Sequence, residues 1–255
     1  MYPVIVISPS LQIPTYYFVL SATVCICLFW LVRRTARFQL SRKITLDLSL
    51  VIMIAGFIGG RLFHVFYEDF DYYREDPWRI LHFWNGGFVF YGGALLAGFF
   101  SALFLTFKTR KSCEAYMDLF APVVSFSYAA GRTACLLAGC CYGRYCELPW
   151  AVDGRHPTQA YAALWELGVL FILLGLENIP REQRRISYFK HSGSIFFLWM
   201  ILHATGRLLM ESLRDDFRGP SLGLSISSWI SLCVIFLGFY LLFRKPAHRS
   251  STRAS

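Results

Sequence analysis

Three arginines, Arg61, Arg132 and Arg207, stand inside or at the end of apolar stretches. An arginine within a membrane span costs at least ~2.5 kcal/mol on insertion scales, so it faces a cavity or a partner unless it snorkels to the interface. Each follows a glycine (Gly60, Gly131, Gly206), which would let another backbone approach closely. Three guanidiniums at one depth suit a phosphate, which a guanidinium grips through two parallel N–H bonds. The phosphates at that depth are phospholipid headgroups. Glu211 lies four residues after Arg207, on the same helix face, and is its expected ion-pair partner, with Arg214 about a turn further on. Glu166 is a second candidate partner for an arginine, whereas Asp118 reads as a residue of the cytoplasmic boundary.

Thiols and imidazoles form a second group. Cys135, Cys140, Cys141 and Cys146 crowd into one short stretch. Their spacing matches no strong zinc pattern; an oxidising exterior would favour a disulfide among them, and a catalytic thiol is a third reading. Cys25, Cys27, Cys113 and Cys233 read as small apolar or loop residues. His64, His156 and His203 are candidate general bases, with His156 best placed because it precedes Pro157 at a span entrance. Three glycine-rich or polar stretches, WNGGFVFYGG at 84–93, AGRTACLLAGCCYGR at 130–144 and RHPTQAY at 155–161, adjoin apolar runs. Irregular backbone at membrane depth survives only when buried in protein or lining a wet cavity, so the three imply one site.

The elements that must position these groups are transmembrane helices. Of 255 residues, 56% are hydrophobic and only 16% charged, against roughly a quarter in soluble domains. Apolar runs approaching the ~20 residues of a bilayer crossing predict seven spans, near 12–32, 46–66, 86–107, 117–138, 157–176, 192–210 and 223–243. The basic residues sort by connection. Arg33, Arg34, Arg37, Arg42 and Lys43, then Lys108, Arg110 and Lys111, then Arg181, Arg184, Arg185 and Lys190, then Arg244, Lys245, Arg249 and Arg253 all fall on one side. Only Arg74, Arg79, Arg144, Arg155, Arg214 and Arg218 fall on the other. Lys and Arg are retained in the cytoplasm, which places the N-terminus outside and the C-terminus inside. The first run lacks a preceding basic stretch and reads as a retained helix rather than a cleaved signal. Residues 1–243 are expected to form one all-α, seven-helix integral membrane domain, and 244–255 a disordered basic cytoplasmic tail. The formal net charge of +9 lies in short loops rather than on one helix face, so it sets topology and does not point to nucleic acid.

Six strings in order, IPTY at 13–16, GGRLFHVFY at 59–67, WNGGFVFYGG at 84–93, AGRTACLLAGCCYGR at 130–144, RHPTQAY at 155–161 and GRLLMESLR at 206–214, resemble the bacterial phosphatidylglycerol–prolipoprotein diacylglyceryl transferase family. The resemblance implies seven helices in the bacterial inner membrane, with the N-terminus periplasmic and the site towards that face. It implies transfer of the diacylglyceryl group of phosphatidylglycerol to the lipobox cysteine of a preprolipoprotein, forming a thioether and releasing glycerol phosphate. The implied partners are phosphatidylglycerol, signal peptides and the bilayer; no cofactor and no metal are expected. On the matched positions Arg132 and Arg207 hold the phosphate, with Tyr91 or His156 as the candidate base. Tyr16, Arg61, Gly92, Gly93, Gly143, Glu166, Glu211 and Arg214 are expected to bind substrate. The sequence departs from the family at Tyr91, where many members carry His, at Cys135 for Asn, at Cys140 for Glu and at Ala162 for an acid. Those departures keep open a non-catalytic paralogue that binds anionic phospholipid or lipoprotein precursors, and a redox role for the cysteines.

Overall fold

The computed structural model describes residues 2–8, 11–109, 113–214 and 223–244. The expected tail, apart from Arg244, lies outside the described residues, as do Arg110, Lys111 and Arg218 of the loop count. Seven long helices occur where the apolar runs predict them: α1 (Thr15–Phe38), α2 (Arg42–Phe63), α4 (Phe90–Lys108), α5 (Cys113–Ala138), α6 (Thr158–Asn178), α7 (Ser194–Glu211) and α8 (Ile226–Phe243). A π-helical turn, His64–Glu68, prolongs α2, and a short helix α3 (Phe70–Glu75) follows it.

One element was not expected. Val4–Ser8 (β1) pairs antiparallel with Leu11–Pro14 (β2), so the first helix begins at Thr15 rather than near residue 12. The β-branched run Val4-Ile5-Val6-Ile7 favours strand over helix, and Pro14 is better placed before a helix than inside one. The Thr15 hydroxyl donates to the Tyr2 carbonyl, tying the hairpin to the start of α1.

Among the described residues five helices are long and apolar enough to cross a membrane: α1, α2 with its π turn, α4, α6 and α8. The other two, α5 and α7, each carry several ionisable groups, among them Asp118 and Arg132 on one and His203, Arg207 and Glu211 on the other. Large apolar side chains such as Phe99, Phe171 and Phe236 face outward, which water would penalise and acyl chains would not. The architecture is that of an all-α membrane protein with one small hairpin.

The chain divides into two compact units, Met1–Trp30 with Met117–Ser255, and Leu31–Tyr116. In the second unit α2 and α4 cross at very short range. A Cβ on Gly93 would come 2.8 Å from the Gly56 carbonyl oxygen, and one on Gly92 would run into the Phe63 ring. Small residues at the crossing let the two backbones touch, which is how helices associate without a hydrophobic drive between them.

In the first unit Ala121, Val169, Leu173 and Ile195 join α5, α6 and α7, and Phe197, Ile201 and Leu242 join α7 to α8. Asp118, expected at a span boundary, is fully buried and caps another helix. Its carboxylate accepts from the amides of Gly193 (2.8 Å), Ile195 (3.0 Å) and Phe196 (3.1 Å) and meets Arg181 at 3.3 Å. Those are the orphan donors at the start of α7, where the helix dipole also favours an anion. Capping from α5 fixes the end of α7 opposite to Arg207.

Candidate functional site

The candidate residues fall in both units. In the unit Leu31–Tyr116, Arg61 ends α2 with its side chain buried. Its Nε donates to Ile80 O at 3.1 Å, one terminal nitrogen to Gly86 O at 2.5 Å and Gly87 O at 3.2 Å, and the other to Arg79 O at 2.8 Å and His82 O at 3.4 Å. A guanidinium has five N–H groups, and all five are engaged by loop carbonyls. The cation also sits over the rings of Tyr73 at 5.2 Å and Phe88 at 5.9 Å. Arg61 therefore organises the loop 76–89 in this structure, rather than presenting donors to a headgroup. His64 next to it pairs with Glu68 at 2.7 Å and with Asp69 at 3.5 Å. Gly87, with φ +80°, lies where a Cβ would strike His64 and Arg61, so only glycine can bring this loop over them. Tyr91 opens α4 half-buried; Gly92 and Gly93 follow it and serve the crossing with α2.

In the other unit the remaining candidates draw together. Arg132, late on α5, lies over the Tyr128 ring at 5.0 Å. Among the described residues no hydrogen bond or ion pair takes its guanidinium. Its charge acts on Cys135, Cys140, Cys141 and the Tyr16 hydroxyl, which places all five groups in one neighbourhood. Tyr128 also meets the His203 ring edge-on at 4.7 Å. Together with Glu166, His203 and Arg207, it lines a small cavity closed by Trp165, Gly206 and Met210. Tyr128 thus links Arg132 to Arg207, a role that sequence reasoning missed although the tyrosine stands one turn before Arg132.

Arg207 on α7 is buried; its guanidinium lies 3.3 Å from the Ser227 hydroxyl and 3.9 Å from Glu211. Glu211 in turn accepts from Ser225 at 2.7 Å. The i,i+4 pairing expected from sequence is present, with α8 supplying two hydroxyls behind it. Glu166 is paired with a histidine rather than an arginine: its carboxylate is buried, takes the Ser125 hydroxyl at 2.7 Å and bonds His203 Nδ1. Trp199 stacks on the same imidazole at 5.2 Å.

The loop 139–157 is knit to α7 and α6. The Gly143 amide donates to His156 O at 2.9 Å, and a Cβ at Gly143 would overlap the Leu213 carbonyl and come 2.7 Å from Thr158. The Arg144 amide and Nε reach Leu213 O and Arg214 O at 2.9 and 3.0 Å. His156 lies 3.5 Å from the Tyr161 hydroxyl, which accepts from Trp150 at 2.7 Å. Of the glycines preceding the three arginines, Gly206 does allow a close approach, by the Trp165 indole, whereas Gly131 has nothing within 4 Å.

The cysteines are all free thiols in this structure; the disulfide that was one of three readings of the cluster is not formed in it. Cys135, Cys140 and Cys141 have their sulfurs within 4.8 Å of one another, and Cys146 stands outside the group. Hydrogen bonding with Cys135, opposed by burial and reinforced by Cys140, Arg214 and Arg132, brings the Cys141 thiol down to about 5.

The family model described as prolipoprotein diacylglyceryl transferase matches residues 3–244. A phosphatidylglycerol–prolipoprotein diacylglyceryl transferase of Methylobacillus flagellatus is 37% identical, over 72% of this chain and 71% of its own length. One of Clostridium tetani is 32% identical over 78% and 81%. A third, of Thermosynechococcus vestitus, is 30% identical over 90% and 87%.

Proposed function

The chain belongs to the prolipoprotein diacylglyceryl transferase family, and we propose that it transfers the diacylglyceryl group of phosphatidylglycerol to the lipobox cysteine of a preprolipoprotein. The observation that carries this reading is Arg132: a guanidinium stacked on Tyr128, not hydrogen-bonded by any described residue, in the neighbourhood of Tyr16 and three thiols. A fork of unengaged donors of that kind suits the phosphodiester and the second negative charge that develops as glycerol phosphate departs.

Arg207 is held ready by Glu211 and Ser227 and supports the same phosphate across the shared Tyr128. Arg61 acts at one remove, by shaping the loop that leads to Tyr91, Gly92 and Gly93. The thiol proton passes to Tyr91 or His156, and the sulfur attacks the glyceryl carbon as its bond to the phosphate oxygen breaks and glycerol phosphate leaves with the electron pair. A thiolate is needed because the neutral thiol is a weak nucleophile. The seven long helices all cross the inner membrane, N-terminus outside, so that Arg132 and Arg207 lie towards the periplasmic face. Both substrates arrive through the bilayer, the phospholipid and the signal peptide each as membrane residents.

The test is direct. Purified protein in detergent is incubated with phosphatidylglycerol and a lipobox peptide, and the peptide cysteine should gain the diacylglyceryl mass. The gain should vanish in Arg132→Ala while the protein stays folded. A folded wild-type protein that binds phosphatidylglycerol without transferring would instead support the non-catalytic paralogue, the reading that Tyr91 in place of histidine favours. For orientation, a fluorescent protein fused after the C-terminus should light up in the cytoplasm; a dark fusion would reverse the topology.

A further inference from the structure

We propose that Cys135, Cys140 and Cys141 form a three-thiolate zinc site whose fourth position takes the lipobox sulfur, an inference that rests on the transferase reading above.

The site is built by the way α5 ends. Cys135 lies in the last turn of the helix; Gly139, with φ +77, turns the chain back, and the Cys140 amide closes onto Cys135 O at 3.1 Å. Reversal at a left-handed C-terminal residue returns the chain over the last helical turn. It places a residue five positions on beside the one it left. Cys141 then adopts φ +67, a left-handed conformation rare for a side chain with a Cβ. Two side chains of α6 hold it there: Thr158 donates to Cys141 O at 2.9 Å and Gln159 to Cys140 O.

The distances suit a metal better than a cystine. Zinc–sulfur bonds of about 2.3 Å in a tetrahedron put the sulfurs about 3.8 Å apart. The Cys140 and Cys141 sulfurs are 3.7 Å apart, and all three lie within 4.8 Å of one another. A disulfide would require them at about 2.0 Å. Three thiolates on Zn²⁺ leave one net negative charge, which Arg132 and Arg214 offset from close by. Catalytic zinc keeps three protein ligands and an open position, whereas a structural site would be closed by a fourth. Cys146, the nearest further thiol in the sequence, is outside the group.

That open position addresses what the reaction needs. A thiol that coordinates zinc gives up its proton readily, so the candidate base named above need not be a strong one. The bound sulfur then forms its bond to the glyceryl carbon as the carbon–oxygen bond breaks. The electron pair goes to the phosphate oxygen of glycerol phosphate, and Arg132, within charge range of the cysteines, meets that anion. The product thioether is neutral and leaves the metal. Nothing is oxidised or reduced.

Full-length protein purified without chelator should carry one zinc per chain, measured by mass spectrometry of the metal. Zinc X-ray absorption should count three sulfur ligands, rising to four on adding the lipobox peptide. Zinc should be lost in Cys140→Ser and Cys141→Ser and kept in Cys146→Ser. Wild-type protein that takes up no zinc from added zinc salt, or holds it with no sulfur, would overturn the site, and this measurement needs no variant to fold. A sulfur count that stays at three with peptide would overturn the substrate role. The transfer assay run in parallel separates the two ideas: transfer by zinc-free protein sinks the metal and leaves the function standing, whereas zinc bound without any transfer sinks the function.

Discussion

Arg61 and Arg132 have the same side chain, the same preceding glycine and the same place near the end of an apolar helix, yet the two units use them in opposite ways. In the unit Leu31–Tyr116 the five N–H groups of Arg61 point at five carbonyls of one loop. In the other unit the Arg132 guanidinium lies on an aromatic face, and no described residue bonds its donors. What surrounds each buried cation sets its use. Where irregular backbone must sit at membrane depth, its carbonyls need donors, and one arginine can supply several. Where the donors are left unassigned over an aromatic ring, they are available to a ligand.

Four variants test the two roles. The largest effect is expected at Arg207→Ala. Removing one partner of a buried pair leaves Glu211 uncompensated and should lower stability by about 3 to 5 kcal/mol, read as a fall in melting temperature in detergent, with transfer lost. Next, Arg132→Ala should leave the melting temperature near wild type and cut transfer by about 10²- to 10³-fold, as loss of one pre-placed donor to a developing anion does. If it melts early instead, Arg132 is structural like Arg61, and the contrast fails.

Arg61→Lys should show the reverse pattern. Its ammonium keeps the charge but has three donors for five carbonyls, so stability should fall by about 1.5 to 3 kcal/mol. The apparent affinity for phosphatidylglycerol should hold in molecules that remain folded. A raised KM with unchanged melting would return Arg61 to the headgroup. Smallest, Glu166→Gln keeps the shape of the Ser125–Glu166–His203 contacts while removing the charge, and should cost about 1 kcal/mol in a thermal melt. A loss as large as that of Arg207→Ala would mean that the Glu166 carboxylate is as critical to the fold as the Arg207–Glu211 pair.

Much of this was legible in the sequence. The seven long helices follow from apolar run length, and the Arg207–Glu211 pair follows from a four-residue spacing, because both are properties of a single helix. The hairpin at Val4–Pro14 was present as a β-branched run, but the span prediction begins near residue 12 and assigns no element to most of it. Asp118 could not be placed on the start of α7, since 75 residues separate it from the amide of Gly193.

That this chain belongs in a bilayer, where its helices run and which arginines stand inside them can be read without the fold. Those facts depend on local composition, which the solvent preference of each side chain sets. Three other outcomes come from packing: Glu166 meets His203 rather than an arginine, Arg61 belongs to a loop, and three cysteines with an unpromising spacing bring their sulfurs together. Those outcomes depend on where a helix end turns back and on which helix faces which, and neither is written in any one segment.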